Sequence, residues 1–139
     1  MALMAGCAPA EDISATIKAN LEGNERYAFF NQTYLDKKLL AALEGDFDVD
    51  GTEDLIIVFN EDKNASFLVT IYVQGGAFFL TEPISAPVDS CRLEWRDINE
   101  EPPGELIVSG QKGINYGYGI YHFIDFHWHS LYGDMQDCC

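Results

Sequence analysis

Beyond Gly45 the chain breaks into short apolar and aromatic runs, each bounded by turn-forming residues, and this rhythm constrains the fold more than any other feature. The runs are Leu55 to Phe59, Ser66 to Val73, Ala77 to Leu80, Cys91 to Arg96, Glu105 to Ser109, Tyr116 to Ile124 and Trp128 to Tyr132. They are too short for ordinary helices and rich in β-branched and aromatic residues, which fit a pleated, half-buried surface. Gly75-Gly76 and Pro102-Pro103-Gly104 mark turns between them.

Upstream the period changes. Ile13, Ile17 and Leu21 recur every four residues, which predicts a helix over Glu11 to Glu22 with Asp12 near its start and Gly23-Asn24 as its stop. Phe29 to Tyr34 and Lys38 to Leu43 read as paired strands around Leu35-Asp36-Lys37, although Leu39 to Leu43 also suits a helical turn.

The β portion carries an internal repeat. Asp48-Val49-Asp50-Gly51-Thr52-Glu53-Asp54-Leu55-Ile56-Ile57-Val58 aligns with the segment from Asp97 to Val108, whose loop is longer, giving a unit of about fifty residues. After each loop come an apolar strand, a long aromatic strand ending in a turn, and one more strand. One antiparallel four-stranded sheet per repeat follows, as in a propeller blade, and two blades do not close a propeller. The expected fold is therefore mainly β with an N-terminal helix and two propeller-blade-like repeats, roughly 38–82 and 91–133. Residues 11–134 are expected to form a single β-rich domain, with residues 1–10 a lipobox remnant and tether and residues 135–139 a mobile Cys-Cys tail.

In Asp46-Phe47-Asp48-Val49-Asp50-Gly51-Thr52-Glu53-Asp54, carboxylates fall at positions 1, 3, 5 and 9, with glycine at 6 to allow a sharp turn. That spacing wraps a hard cation. Calcium accepts six to eight oxygens in a flexible shell, so Asp46, Asp48, Asp50 and Asp54, the Thr52 carbonyl and water are a sufficient set. Magnesium is disfavoured by its strict octahedral geometry. An EF-hand would need a bidentate Glu at position 12, where this chain has Ile57 inside a strand. Gly45 to Val58 resembles the FG-GAP and VCBS type of repeat, and the resemblance implies a loop between two strands that often holds calcium. The second loop departs from the pattern: Asp97 and Asn99 are followed by Glu100-Glu101-Pro102-Pro103, whose prolines fix a different backbone path, and tight metal binding is not expected there.

Lys plus Arg number 8 against 23 Asp plus Glu, a formal net charge of -15, which excludes nucleic acid as a partner and suits divalent counter-ions. No run reaches the ~20 apolar residues of a membrane-spanning helix. Leu3-Met4-Ala5-Gly6-Cys7 nevertheless matches the end of a bacterial lipoprotein signal peptide, which predicts lipidation at Cys7 and a place in the cell envelope, outside the cytoplasm.

At the other end stands the vicinal pair Cys138-Cys139. A disulfide between neighbours is strained and easily reduced, and the dithiol form offers two soft sulfurs to one soft metal ion. Asp137 and the terminal carboxylate oppose thiolate formation, so a metal or a basic partner is needed. The lipoprotein-like start, the acidic β-domain with its Asp-rich loop and the terminal cysteines together resemble the Cys-Cys-COOH (seleno)protein family SaoC. The resemblance implies an envelope protein that handles thiols, selenium or a soft metal such as mercury, in the company of a transporter or a thioredoxin-like protein. The rival reading is a binding module that recognises a protein or glycan, with incidental cysteines.

Other residues carry weaker signals. His127 and His129 project from one face of a strand with Trp128 opposite, and such pairs can hold zinc or copper, with His122 in the preceding strand as a neighbour; surface strand histidines are the commoner case. Cys91 reads as a small buried apolar residue. No Ser-His-Asp order, phosphate-cradling glycine loop or isolated carboxylate pair points to an enzyme.

Overall fold

The computed structural model describes residues 10–96, 104–112 and 115–132. Two helices lead the described chain, α1 (Ala10–Asn20) and α2 (Glu25–Thr33). Nine strands follow: β1 (Lys38–Gly45), β2 (Asp54–Asp62), β3 (Ala65–Gln74), β4 (Ala77–Leu80), β5 (Ile84–Ala86), β6 (Asp89–Arg96), β7 (Glu105–Lys112), β8 (Asn115–Ile124) and β9 (His127–Tyr132). They form two antiparallel sheets, one ordered β1-β2-β3-β4 with β5 also on β3, the other ordered β6-β7-β8-β9. The apolar runs read from the sequence lie inside β2, β3, β4, β6, β7, β8 and β9.

The first sheet is covered on both faces, and β2 shows why its sequence does not alternate. Leu55, Ile57 and Phe59 face the helices in a core with Leu21, Phe30, Leu39, Val69 and Ile71. Ile56 and Val58 face the second sheet in a core with Phe47, Leu68, Leu106, Val108, Phe123 and Trp128. A strand buried on both faces reads as a continuous apolar run. β8 instead alternates buried Gly119, Tyr121 and Phe123 with more open neighbours, the pattern of a sheet with one face toward solvent. Trp128 Nε1 donates to Thr70 Oγ1 at 2.7 Å, a buried hydrogen bond between the sheets.

The expected strand over Phe29 to Tyr34 is corrected: residues 29–33 belong to α2 with Tyr34 as its C-cap, and β1 pairs with β2 instead. Asn24 caps the helix, its Oδ1 accepting from the N–H groups of Arg26 (2.8 Å) and Tyr27 (3.1 Å), and Glu25 occupies the first turn. Tyr27, Phe30 and Tyr34 stand three and four apart, so their rings line up, and Phe30 and Tyr34 pack on Phe59 at 5.5 and 4.6 Å between centroids. That tertiary aromatic cluster outweighs the local β-propensity. Ile17 of α1 and Leu21 just past its end pack toward the sheet, but Ile13 remains 45% exposed. Ser14 secures the helix by accepting the Leu39 N–H at 2.9 Å, beside the register shift in β1.

β5 has no counterpart among the expected runs. Pro83 and Pro87 flank it, and it continues along β3 where β4 leaves off, with Thr81 bridging the break through its N–H to Thr70 O and its Oγ1 from Thr70 N. Among the described residues no helix is long and apolar enough to cross a membrane.

Candidate metal centre

The β1–β2 connection is pinned from its middle. Phe47 is fully buried between the sheets, with Trp95 and Trp128 edge-on at 4.9 and 6.1 Å. Gly45 makes room for that ring: a Cβ there would lie 2.9 Å from Phe47 Cε1. With Phe47 turned inward, the alternating neighbours Asp46, Asp48 and Asp50 converge, each offering an oxygen within 4.8 Å of the others.

Backbone turns then close the loop onto the carboxylates. Asp46 accepts the N–H groups of Asp50 (3.0 Å) and Gly51 (2.7 Å), and Asp50 accepts the N–H of Thr52 at 2.9 Å. Two residues take left-handed conformations, Gly51 at φ 89° and Val49 at φ 58°. The first suits glycine, whereas a β-branched residue there is strained, and strain of this kind persists where surrounding structure enforces it.

Asp54 lies apart from this triad. It is wholly buried, and its two oxygens accept the N–H groups of Phe47 (3.2 Å) and Val73 (3.3 Å), which ties the loop's exit to its inward anchor and to β3. Burial pushes its carboxyl up to about 6, against the pull of those two N–H groups, with the charges of Asp50 and Asp46 adding to the rise. Asp48 is raised further, to about 7, by burial first, then by the charge of Asp54 and by its contacts with Asp46 and Asp50. For Asp46 burial also acts upward, but hydrogen bonds from the Gly51 and Asp50 N–H groups and from Asp48 and Asp50 together outweigh it and leave the carboxyl below its ordinary value. Asp48 Oδ1 is buried without a hydrogen-bond partner. An unpaired buried acceptor among like charges is expensive, and a cation among these all-oxygen donors would relieve both costs.

Of the five residues expected to hold metal, the structure gathers Asp46, Asp48 and Asp50, places the Thr52 N–H on Asp50, and engages Asp54 with the backbone. The inward anchor Phe47 was not apparent from the sequence; the alternation Asp-Phe-Asp-Val-Asp was the available signal, since period two turns Phe47 away from its acidic neighbours. Cys91 is part-buried against the inter-sheet core, and burial pushes its thiol up to about 12. The second loop, Asp97 to Pro103, falls between β6 and β7 and lies outside the described residues, as do Cys7, Cys138 and Cys139. Comparison with family models, with curated proteins and with solved structures finds no match to this chain.

Proposed function

We propose that this protein is a calcium-stiffened β-domain of the cell envelope, anchored through lipidated Cys7, whose Cys138-Cys139 pair exchanges thiols or selenium or captures a soft metal ion. The calcium reading rests above all on the buried, unpartnered Asp48 Oδ1 beside Asp46 and Asp50. Asp54 and the Thr52 carbonyl complete the proposed donor set, and Asp54 also ties the loop's neck through the N–H groups of Phe47 and Val73. The ion's role is structural: it holds the β1–β2 connection closed.

The two sheets are read as blade-like units of FG-GAP or VCBS type, because β1–β4 and β6–β9 follow the same antiparallel order and each places its loop between its first two strands. The tail reading rests on the chemistry of adjacent thiols and on the resemblance to the SaoC family, and it brings with it a transporter or thioredoxin-like partner. One observation favours the rival, a module that recognises a protein or glycan: Tyr116 and Tyr118 are exposed on β8, at 61% and 44%.

The deciding experiment melts metal-free protein with calcium and with chelator. Binding to the native loop alone stabilises by RT ln(1 + [L]/Kd), about 2.7 kcal/mol at a hundredfold excess over Kd. Coincident melting curves remove the calcium reading. Separately, with Cys7 replaced by serine, a chain lacking Cys138-Cys139 should keep its fold and calcium response yet lose tight binding of one mercury ion; equal mercury affinity would hand the function to the binding-module reading.

A further inference from the structure

The chain has 3 histidines, and all of them fall on the β8–β9 hairpin. Tyr121, Phe123 and Trp128 turn inward and are buried, so His122, His127 and His129 project from the opposite face, where His127 and His129 are exposed. His122 and His129 are directly opposed partners in the ladder. Side chains so placed have Cβ atoms about 5 Å apart, close enough for two imidazoles to reach one cation at about 2.0–2.1 Å from each nitrogen. The His127 ring lies 6.4 Å from that of His129.

Two features organise this hairpin. Its turn residue Phe126 stacks on Tyr72 of β3 at 4.5 Å, which fixes the turn against the first sheet. On the other flank, the buried side chain of Glu105 meets His122, with Oε2 3.8 Å from Nε2, one step along the ladder from the Leu106–Tyr121 pair. At 3.8 Å this contact is longer than a hydrogen bond, and a small closing movement of the ring would make it one; a carboxylate so bonded to one imidazole nitrogen sets the tautomer and leaves the other nitrogen to coordinate.

We propose that His122, His127 and His129 form a second cation site, for a borderline divalent ion such as zinc, with Glu105 as a positioning residue and water completing the shell. Nitrogen donors select against calcium, so this site and the aspartate loop take different ions. Among the described residues only Asp46, Asp48 and Asp50 already hold ligand atoms within 4.8 Å of one another, so closing the histidine site requires the exposed His127 and His129 rings to turn.

The test uses the full chain with Cys7, Cys138 and Cys139 replaced by serine, calcium-saturated, and titrated with zinc by calorimetry. One zinc per chain is expected, and His127→Ala and His129→Ala should each weaken it at least about tenfold, as should Glu105→Gln. Long-range proton–nitrogen NMR of the zinc-loaded protein should place the metal on His122 Nδ1. In Glu105→Gln that signature should give way to mixed tautomers while the other backbone amide signals stay in place. Zinc binding that is absent, that calcium displaces, or that survives His127→Ala with His129→Ala unchanged would overturn the proposal.

Discussion

Replacing Asp48 by asparagine should shift stability in opposite directions with and without calcium. In the metal-free protein the Asp48 carboxyl is pushed from 3.8 to about 7, chiefly by burial and then by the charge of Asp54. Because the folded-state value exceeds the unfolded one, the native chain holds a proton that the unfolded chain has released, and stability falls as the pH rises from about 4 to about 7. At pH 8 the whole penalty is present. Converted directly, that rise corresponds to about 4 kcal/mol, and because Asp48 is only partly withdrawn from water, screening reduces the expected gain from asparagine to about 1–2 kcal/mol. The gain should shrink as the pH falls through 7, since the native carboxyl is then already neutral. With calcium the sign reverses, because the variant forgoes most of the ~2.7 kcal/mol that a hundredfold excess of ligand supplies to the parent. Urea melts at pH 5 and pH 8, with calcium and with chelator, measure all four quantities. A variant less stable than the parent in chelator at pH 8 would refute the electrostatic reasoning, and one that keeps the full calcium response would refute Asp48 as a ligand.

Three further outcomes are expected. Gly45→Ala drives a Cβ to 2.9 Å from Phe47 Cε1, in a ring packed by two tryptophans, and should cost about 1–3 kcal/mol in urea melts. Trp128→Phe keeps most of the ring packing but strands the buried Thr70 hydroxyl, so a loss of about 1–3 kcal/mol is expected from the same assay. Cys91, with its thiol at about 12, should react with a thiol reagent at pH 8 far more slowly in the native protein than in urea; equal rates would place it at the surface.

The residues that announced themselves in the sequence were those whose role is set locally. The aspartate spacing and Gly51 encode the turn in which three carboxylates gather, although its anchor Phe47 is held by distant tryptophans, and strands as apolar as Leu55 to Phe59 have few other uses. What stayed hidden depends on distant partners. Phe29 to Tyr34 reads as β because Phe29, Phe30 and Tyr34 are poor helix formers, and the helix there draws its stability from Phe59, a residue of β2; the legible clue was the Asn24-Glu25 start. β5 was too short and too closely flanked by prolines to signal itself. Burial of Asp54 and Glu105, each the first residue of its strand, arises from neighbours that the linear order does not display.

Because β2 lends alternate side chains to two cores, neither core can melt and leave the other standing. Detaching the helices strips Leu55, Ile57 and Phe59 of cover, and parting the sheets does the same to Ile56 and Val58. Unfolding should therefore be one cooperative event, with calorimetric and van 't Hoff enthalpies in agreement. The amide protons of β2 should exchange with solvent only at the rate of global opening, and tightening the loop at its edge would slow exchange on both sides of the strand together.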